Sequence, residues 1–188
     1  MRLAYLGGPL LVTAYGLTRL LDGIDGSKGP GPAWTVGHLF FLGALVLLAV
    51  AMVGLRAERR TWLTTVATVG GVFGAVAMAR VVAVDILVAR GAADRAEMDR
   101  NYATYEFPGS DVLDEAGGIL FPLGLVVLLV VLAAGGRLPW WSPVVALAGF
   151  GTILATLDLL PVAGLLLLAA LAPMVTGTAR SPVAVPRR

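Results

Sequence analysis

Apolar residues run along this chain in blocks rather than in the two- or 3.6-residue alternation of a half-buried strand or helix. Blocks of about 20 apolar residues match the length a helix needs to cross a hydrocarbon core of about 30 Å. Four stand out at once, at about 3–21, 36–55, 62–87 and 117–136. A fifth apolar stretch, 143–175, would be about 50 Å long as one helix, too long for a single crossing. It is expected to fold back at Asp158, Leu159, Leu160 and Pro161, where a charge and a helix-disfavouring proline coincide. The pattern therefore predicts an all-α, polytopic membrane bundle of six helices, the last two at about 142–157 and 161–176. Residues 1–178 form one domain, and 179–188 a short basic tail. A re-entrant pair in place of spans five and six is the alternative.

Composition sharpens the class. Of 188 residues 58% are hydrophobic and only 14% charged, against about 25% charged in a soluble domain, and the mean hydropathy is +0.87. This excludes a soluble enzyme, a disordered tail and a nucleic-acid-binding domain. With no cysteine and one histidine, His38, thiol chemistry is absent and a zinc site would need His38 plus carboxylates alone. No metal and no cofactor are expected.

Charge placement predicts orientation. Arg2, Arg56, Arg59, Arg60, Arg137, Arg180, Arg187 and Arg188 fall at one end of a six-span bundle, with Glu58 the only acid. Asp22, Asp25, Asp158 and the acids of the segment 90–116 fall at the other. Basic short loops stay cytoplasmic, so both termini are expected inside, in a multi-pass cell-membrane protein. Met1 and Arg2 before an apolar run are similar to a secretory signal. No small-residue cleavage site follows, so span one is expected to stay uncleaved. Trp34 is expected at the outer border, and Trp62, Trp140 and Trp141 at the inner one. Ala67, Gly71, Ala75 and Ala79, with Gly70 and Gly74 beside them, give span three a small-residue face suited to close helix contact. Span three is therefore expected to be central.

Candidate chemistry lies at the acidic end. Arg80 and Asp85 fall about 27 and 35 Å along span three from Trp62, near the outer edge of the hydrocarbon, and about 140° apart around the helix. Each is expected to find water, a headgroup or another helix. In the first outer loop Asp22 and Asp25 are two carboxylates able to hold a cation or exchange a proton. His38, one turn into span two, is placed to relay protons to them. The run Asp22 to Gly26 resembles the opening of the motif of CDP-alcohol phosphotransferases, six-span membrane enzymes of similar length. The likeness ends at Ser27: that family's Ala-Arg pair and second aspartate pair have no counterpart, so its function is not carried over.

The outer loop 90–116 holds seven acids, three arginines and the aromatic cluster Tyr102, Tyr105 and Phe107. Its first half is expected either to extend span three or to lie as a lid on the outer face. Asp158 is expected to cap the last helix or to face the bundle interior as a partly buried carboxylate. These residues suit an integral-membrane enzyme acting on a lipophilic, isoprenoid-like substrate by carboxylate acid-base chemistry, with architecture similar to small membrane terpene cyclases. Asp22, Asp25, His38 and Asp158 are then the catalytic candidates, and Trp34, Arg80, Asp85, Tyr102 and Tyr105 the substrate-binding ones. The other reading is a non-enzymatic scaffold, accessory subunit or lipid-binding protein using its acidic loop. Membrane lipid is the expected partner, and the oligomeric state stays open.

Overall fold

A computed structural model describes residues 1–24 and 28–176. Asp25, Arg180, Arg187, Arg188 and the tail 179–188 lie outside the described residues. All regular structure among the described residues is helical: α1 (Arg2–Asp22), α2 (Pro32–Glu58), α3 (Trp62–Ala89), a short α4 (Arg95–Asn101) followed by a 3₁₀ turn (Tyr102–Tyr105), α5 (Ser110–Ala134), α6 (Trp141–Ala155), a 3₁₀ turn (Leu157–Leu159), α7 (Leu160–Leu171) and α8 (Pro173–Thr176).

Local chemistry sets the boundaries. Thr61 and Thr64 form a reciprocal capping box at the start of α3. Pro32 and Pro161 sit in the first turns of α2 and α7, where a missing N–H costs nothing. At the end of α5, Gly136 takes a φ of +71°, Arg137 N–H donates to Leu132 O and Gly136 N–H to Ala133 O. This is the paired closure that a left-handed residue makes possible. The stretch 143–175 does fold back. Thr156 is extended (φ −165°, ψ 141°), its hydroxyl accepts from the Asp158 N–H, and α7 returns along α6, with Gly149 facing Ala163 and Leu167.

The long helices form a closed ring in the order α1, α2, α3, α5, α6, α7, with α2 and α5 also touching across it. Leu45, Leu48, Met52 and Leu55 of α2 meet Leu125, Leu128, Leu129 and Leu132 of α5 and Leu167 and Leu171 of α7 in a fully buried core. Outside the ring the pattern is inverted relative to a soluble protein: Val46, Val50, Val66, Val69, Phe73, Val76, Leu147 and Leu165 are exposed. Four stretches, Pro32–Glu58, Trp62–Ala89, Ser110–Ala134 and Leu157–Thr176, are long and apolar enough to cross a membrane. The fold is that of a helical membrane protein.

Glycine lets α3 and α5 cross closely. A Cβ on Gly74 would lie 2.4 Å from Phe121 N, and one on Gly124 2.7 Å from Gly71 Cα and 2.6 Å from Ala67 O. The expected face of α3 thus does bring backbones together, against α5, as small residues allow where lipid offers no hydrophobic drive. Two expectations need correction. Gly70 meets nothing within 4 Å, and α3 is the most open of the four candidate spans, 28% buried against 39% for the others. α2 and α5 are the more buried, because α3 packs its small face on both of them and turns its large side chains Val66, Val69, Phe73 and Val76 outward.

The ends of the bundle differ. At one end Arg137 pairs with Glu58 (3.6 Å), Arg59 Nη1 donates to Val131 O (3.4 Å), and Trp62 and Trp140 are exposed. At the other, the connections 90–109 and 156–159 gather. The segment 90–116 is more structured than a loop. The fourth long helix begins at Ser110 rather than 117, started by Gly109 with φ +89° and carrying Asp111 in its first turn. Acids there oppose the positive end of the helix dipole, so the helix extends beyond the apolar block that the hydropathy pattern reveals.

Candidate functional site

At the acidic end α1, α2, α3 and the segment after α3 converge on a buried polar cluster. Trp34 opens α2, and His38 follows one turn later on the same face. The His38 side chain is 5% exposed and stands between the rings of Tyr15 (centroids 5.3 Å, edge-on) and Trp34 (4.3 Å). Its Nδ1 lies 2.7 Å from Trp34 O. A carbonyl only accepts, so Nδ1 carries a proton and donates it. The other ring nitrogen, Nε2, lies 3.4 Å from Asp85 Oδ2. Without a proton there, a nitrogen lone pair would face a carboxylate. The arrangement therefore calls for one proton held by either His38 or Asp85.

Asp85 is fixed from two further sides. Its main-chain carbonyl accepts from Trp34 Nε1 (2.9 Å), and its Oδ1 accepts from the Tyr102 hydroxyl (2.6 Å). Burial, and then the bond to Asp85, push the Tyr102 phenol well above the usual tyrosine range, so it stays a donor across the neutral range.

Tyr102 belongs to a lid. Asp94 caps α4 by accepting from Glu97 N–H (2.8 Å), and Met98 is completely buried against Trp34, Val88 and Ala89. Asn101 Nδ2 donates to Val88 O (3.2 Å), and the Arg95 guanidinium lies 5.6 Å from the centre of the Trp34 ring. Of the two expected forms, the segment takes the lid form. α3 ends at Ala89, and Gly91, with φ +79°, turns the chain back over the bundle.

Arg80 holds the far side of this lid. Its Nη1 donates to both carboxylate oxygens of Asp114 (2.6 and 2.7 Å), its Nη2 to Tyr105 O (2.9 Å), and its guanidinium lies 4.8 Å from the centre of the Phe107 ring. Between these groups lies an open cavity of about 840 Å³, lined among others by Arg80, Tyr102, Tyr105, Phe107 and Asp114. Ligand sites commonly span about 300–1,000 Å³. Tyr102 both lines this cavity and donates to Asp85, so this one residue stands between the open space and the His38–Asp85 pair.

The expected site residues divide accordingly. Trp34, His38, Asp85 and Tyr102 come together; Arg80 and Tyr105 form the adjoining wall. Arg80 and Asp85 do not pair with each other, as their angular offset requires, and each finds a partner on another element. Asp22 borders a space of about 10 Å³ with Tyr15, Arg19 and His38. Among the described residues His38 faces the carboxylate of Asp85; Asp25, the other first-loop acid expected to exchange protons with it, lies outside them.

Asp158 departs from both of its expected roles. No side chain caps α7, and the Asp158 side chain is 50% exposed, 2.5 Å from Lys28 Nζ and 3.8 Å from Arg19 Nε. The turn sits at the surface, where the flexible Lys28 reaches it. Asp114, Tyr15 and Met98 are the participants that sequence reasoning missed. An acid four residues into an amphipathic helix start, facing an arginine near the end of the preceding span, was the available signal for Asp114.

A helical membrane bundle with a lidded polar end is as far as the fold and site define the class. Comparison with family models, curated proteins and solved structures found no match.

Proposed function

We propose that the protein is a six-span cell-membrane enzyme, with both ends of the described chain on the cytoplasmic side. It acts by proton transfer on a lipophilic substrate held beneath the outer lid; isomerisation or cyclisation of an isoprenoid is the concrete version. The observation that carries this reading is the buried His38–Asp85 pair, connected through Tyr102 to the cavity. In the forward step Tyr102 passes its hydroxyl proton to a substrate double bond while the proton held by the His38–Asp85 pair replaces it. The reverse transfer then takes a proton from another carbon of the resulting cation, so the cycle needs no further reactant. The aromatic walls shelter positive charge developing on the substrate. Asp85 thus takes the acid-base role for which Asp22, Asp25 and Asp158 were the sequence candidates.

The test is mass spectrometry of co-purifying hydrophobic molecules, followed by assay of the one found. Asp85→Asn, His38→Gln and Tyr102→Phe are each expected to lower conversion at least a hundredfold, and three fully active variants would sink the assignment. Single cysteines at Thr104 and Ala57 check orientation: labelling from outside at the first and not the second is expected.

One observation favours a second reading, a non-enzymatic scaffold whose lid is a fixed docking platform. Arg80, Asp85 and Asp114 are all engaged by protein partners. Tyr102→Phe separates the two. A lid still protected from proteolysis but without conversion supports the enzyme; membrane crosslinking from the lid to a second protein, with no small molecule bound, supports the scaffold.

A further inference from the structure

The cavity beneath the lid has a chemical character of its own. Three carboxylates, Glu106, Asp111 and Asp114, line it against one guanidinium, Arg80. Arg80 is consumed by Asp114, at 2.6 Å. The Glu106 and Asp111 side chains are exposed and make no hydrogen bond or ion pair with any described residue, so two carboxylates edge the space without a protein partner. Its lining also includes Tyr102, Tyr105 and Phe107, and Val81 and Val84 of α3. Phe107 already accepts a cation on its ring from Arg80, 4.8 Å away.

A neutral hydrocarbon would waste the carboxylates, and an anion would be repelled by them. A small hydrated metal ion would find no use for three rings and two valines. A low-charge organic cation uses all of these: the rings attract it through their negative faces, the free carboxylates neutralise it, and the valines take its carbon substituents. We infer that this cavity binds an organic ammonium group, with its attached alkyl portion directed against Val81 and Val84. The inference deepens the proposed function by narrowing its lipophilic substrate from a plain hydrocarbon to a chain that carries an ammonium head. It rests on the lid cavity being the ligand site, but not on turnover.

Binding is therefore read at equilibrium, with the full chain in a neutral detergent or nanodisc, using radiolabelled tetraethylammonium and decyltrimethylammonium as probes. Saturable binding of both is expected, with neutral and sulfonate analogues of the same size failing to compete. A preference of tenfold or more for the decyl probe identifies a lipid-like amine as the source, and equal affinity a soluble one. The double variant Glu106→Gln/Asp111→Asn is expected to weaken binding at least tenfold and Tyr105→Leu three- to tenfold. Glu115→Gln, an exposed acid outside the cavity, is expected to change it less than twofold. Absence of saturable binding, competition by the neutral analogue, or an equal loss in Glu115→Gln would each overturn the inference. Cation binding without any conversion by the unsubstituted protein would instead count against the acid-base reading alone.

Discussion

The two ends of the bundle carry similar kinds of residue and use them differently. At the arginine-rich end, Arg137 and Glu58 meet across solvent with side chains 39% and 42% exposed, and short turns close the helices. At the acidic end, a histidine, an aspartate, a tryptophan and two tyrosines from four elements share one buried network under a lid. Exposed pairs contribute little because water screens them; buried groups are costly to leave unmatched. Charge at the first end marks position, and charge at the second builds structure.

Breaking the buried network tests the contrast most strongly. Asp85→Ala leaves the His38 ring nitrogen and the Tyr102 hydroxyl facing an unfilled space and is expected to destabilise the protein by about 3 kcal/mol or more, read from thermal unfolding in detergent. Met98→Ala removes a fully buried side chain from the joint between lid and bundle. A cost of about 2 kcal/mol or more is expected to fall on the lid first, so amide exchange should rise at 94–105 before it does in α2 or α5. Tyr102→Phe, losing one hydrogen bond while keeping the ring, is expected to cost about 1 kcal/mol. Arg137→Ala at the opposite end is expected to change stability by less than about 1 kcal/mol. A comparable loss from Arg137→Ala and Asp85→Ala would erase the distinction between the ends.

Much of the fold was legible from residue order. The helical blocks, the turn near Pro161 and the small face of α3 are local or periodic properties, and each of them appears in the structure. The extension of α5 back to Ser110 was not legible, because its first turn is polar and hydropathy marks only the stretch that suits lipid. The centrality of α3 was misjudged for a related reason: a small-residue face shows that a helix packs closely, but not how much of its remaining surface is covered.

The site was legible in its parts. Trp34, His38, Arg80, Asp85, Tyr102 and Tyr105 stood out because polar and aromatic groups are rare beside so much hydrocarbon. Their pairing did not follow. His38 and Asp85 are 47 positions apart, and Asp85 and Tyr102 lie on opposite sides of a chain reversal at Gly91. No spacing rule links them.

Composition and block length alone determined that this chain forms a helical bundle of membrane type, because the length and apolarity of a spanning segment are set by the bilayer rather than by neighbouring helices. The distribution of arginines and carboxylates also divided the bundle into two ends. Only tertiary structure decided that His38 meets Asp85, that Arg80 turns to Asp114, and that the acidic loop closes as a lid. These depend on side-chain direction and helix rotation at each crossing, which glycine contacts such as Gly74 against Phe121 set through backbone approach.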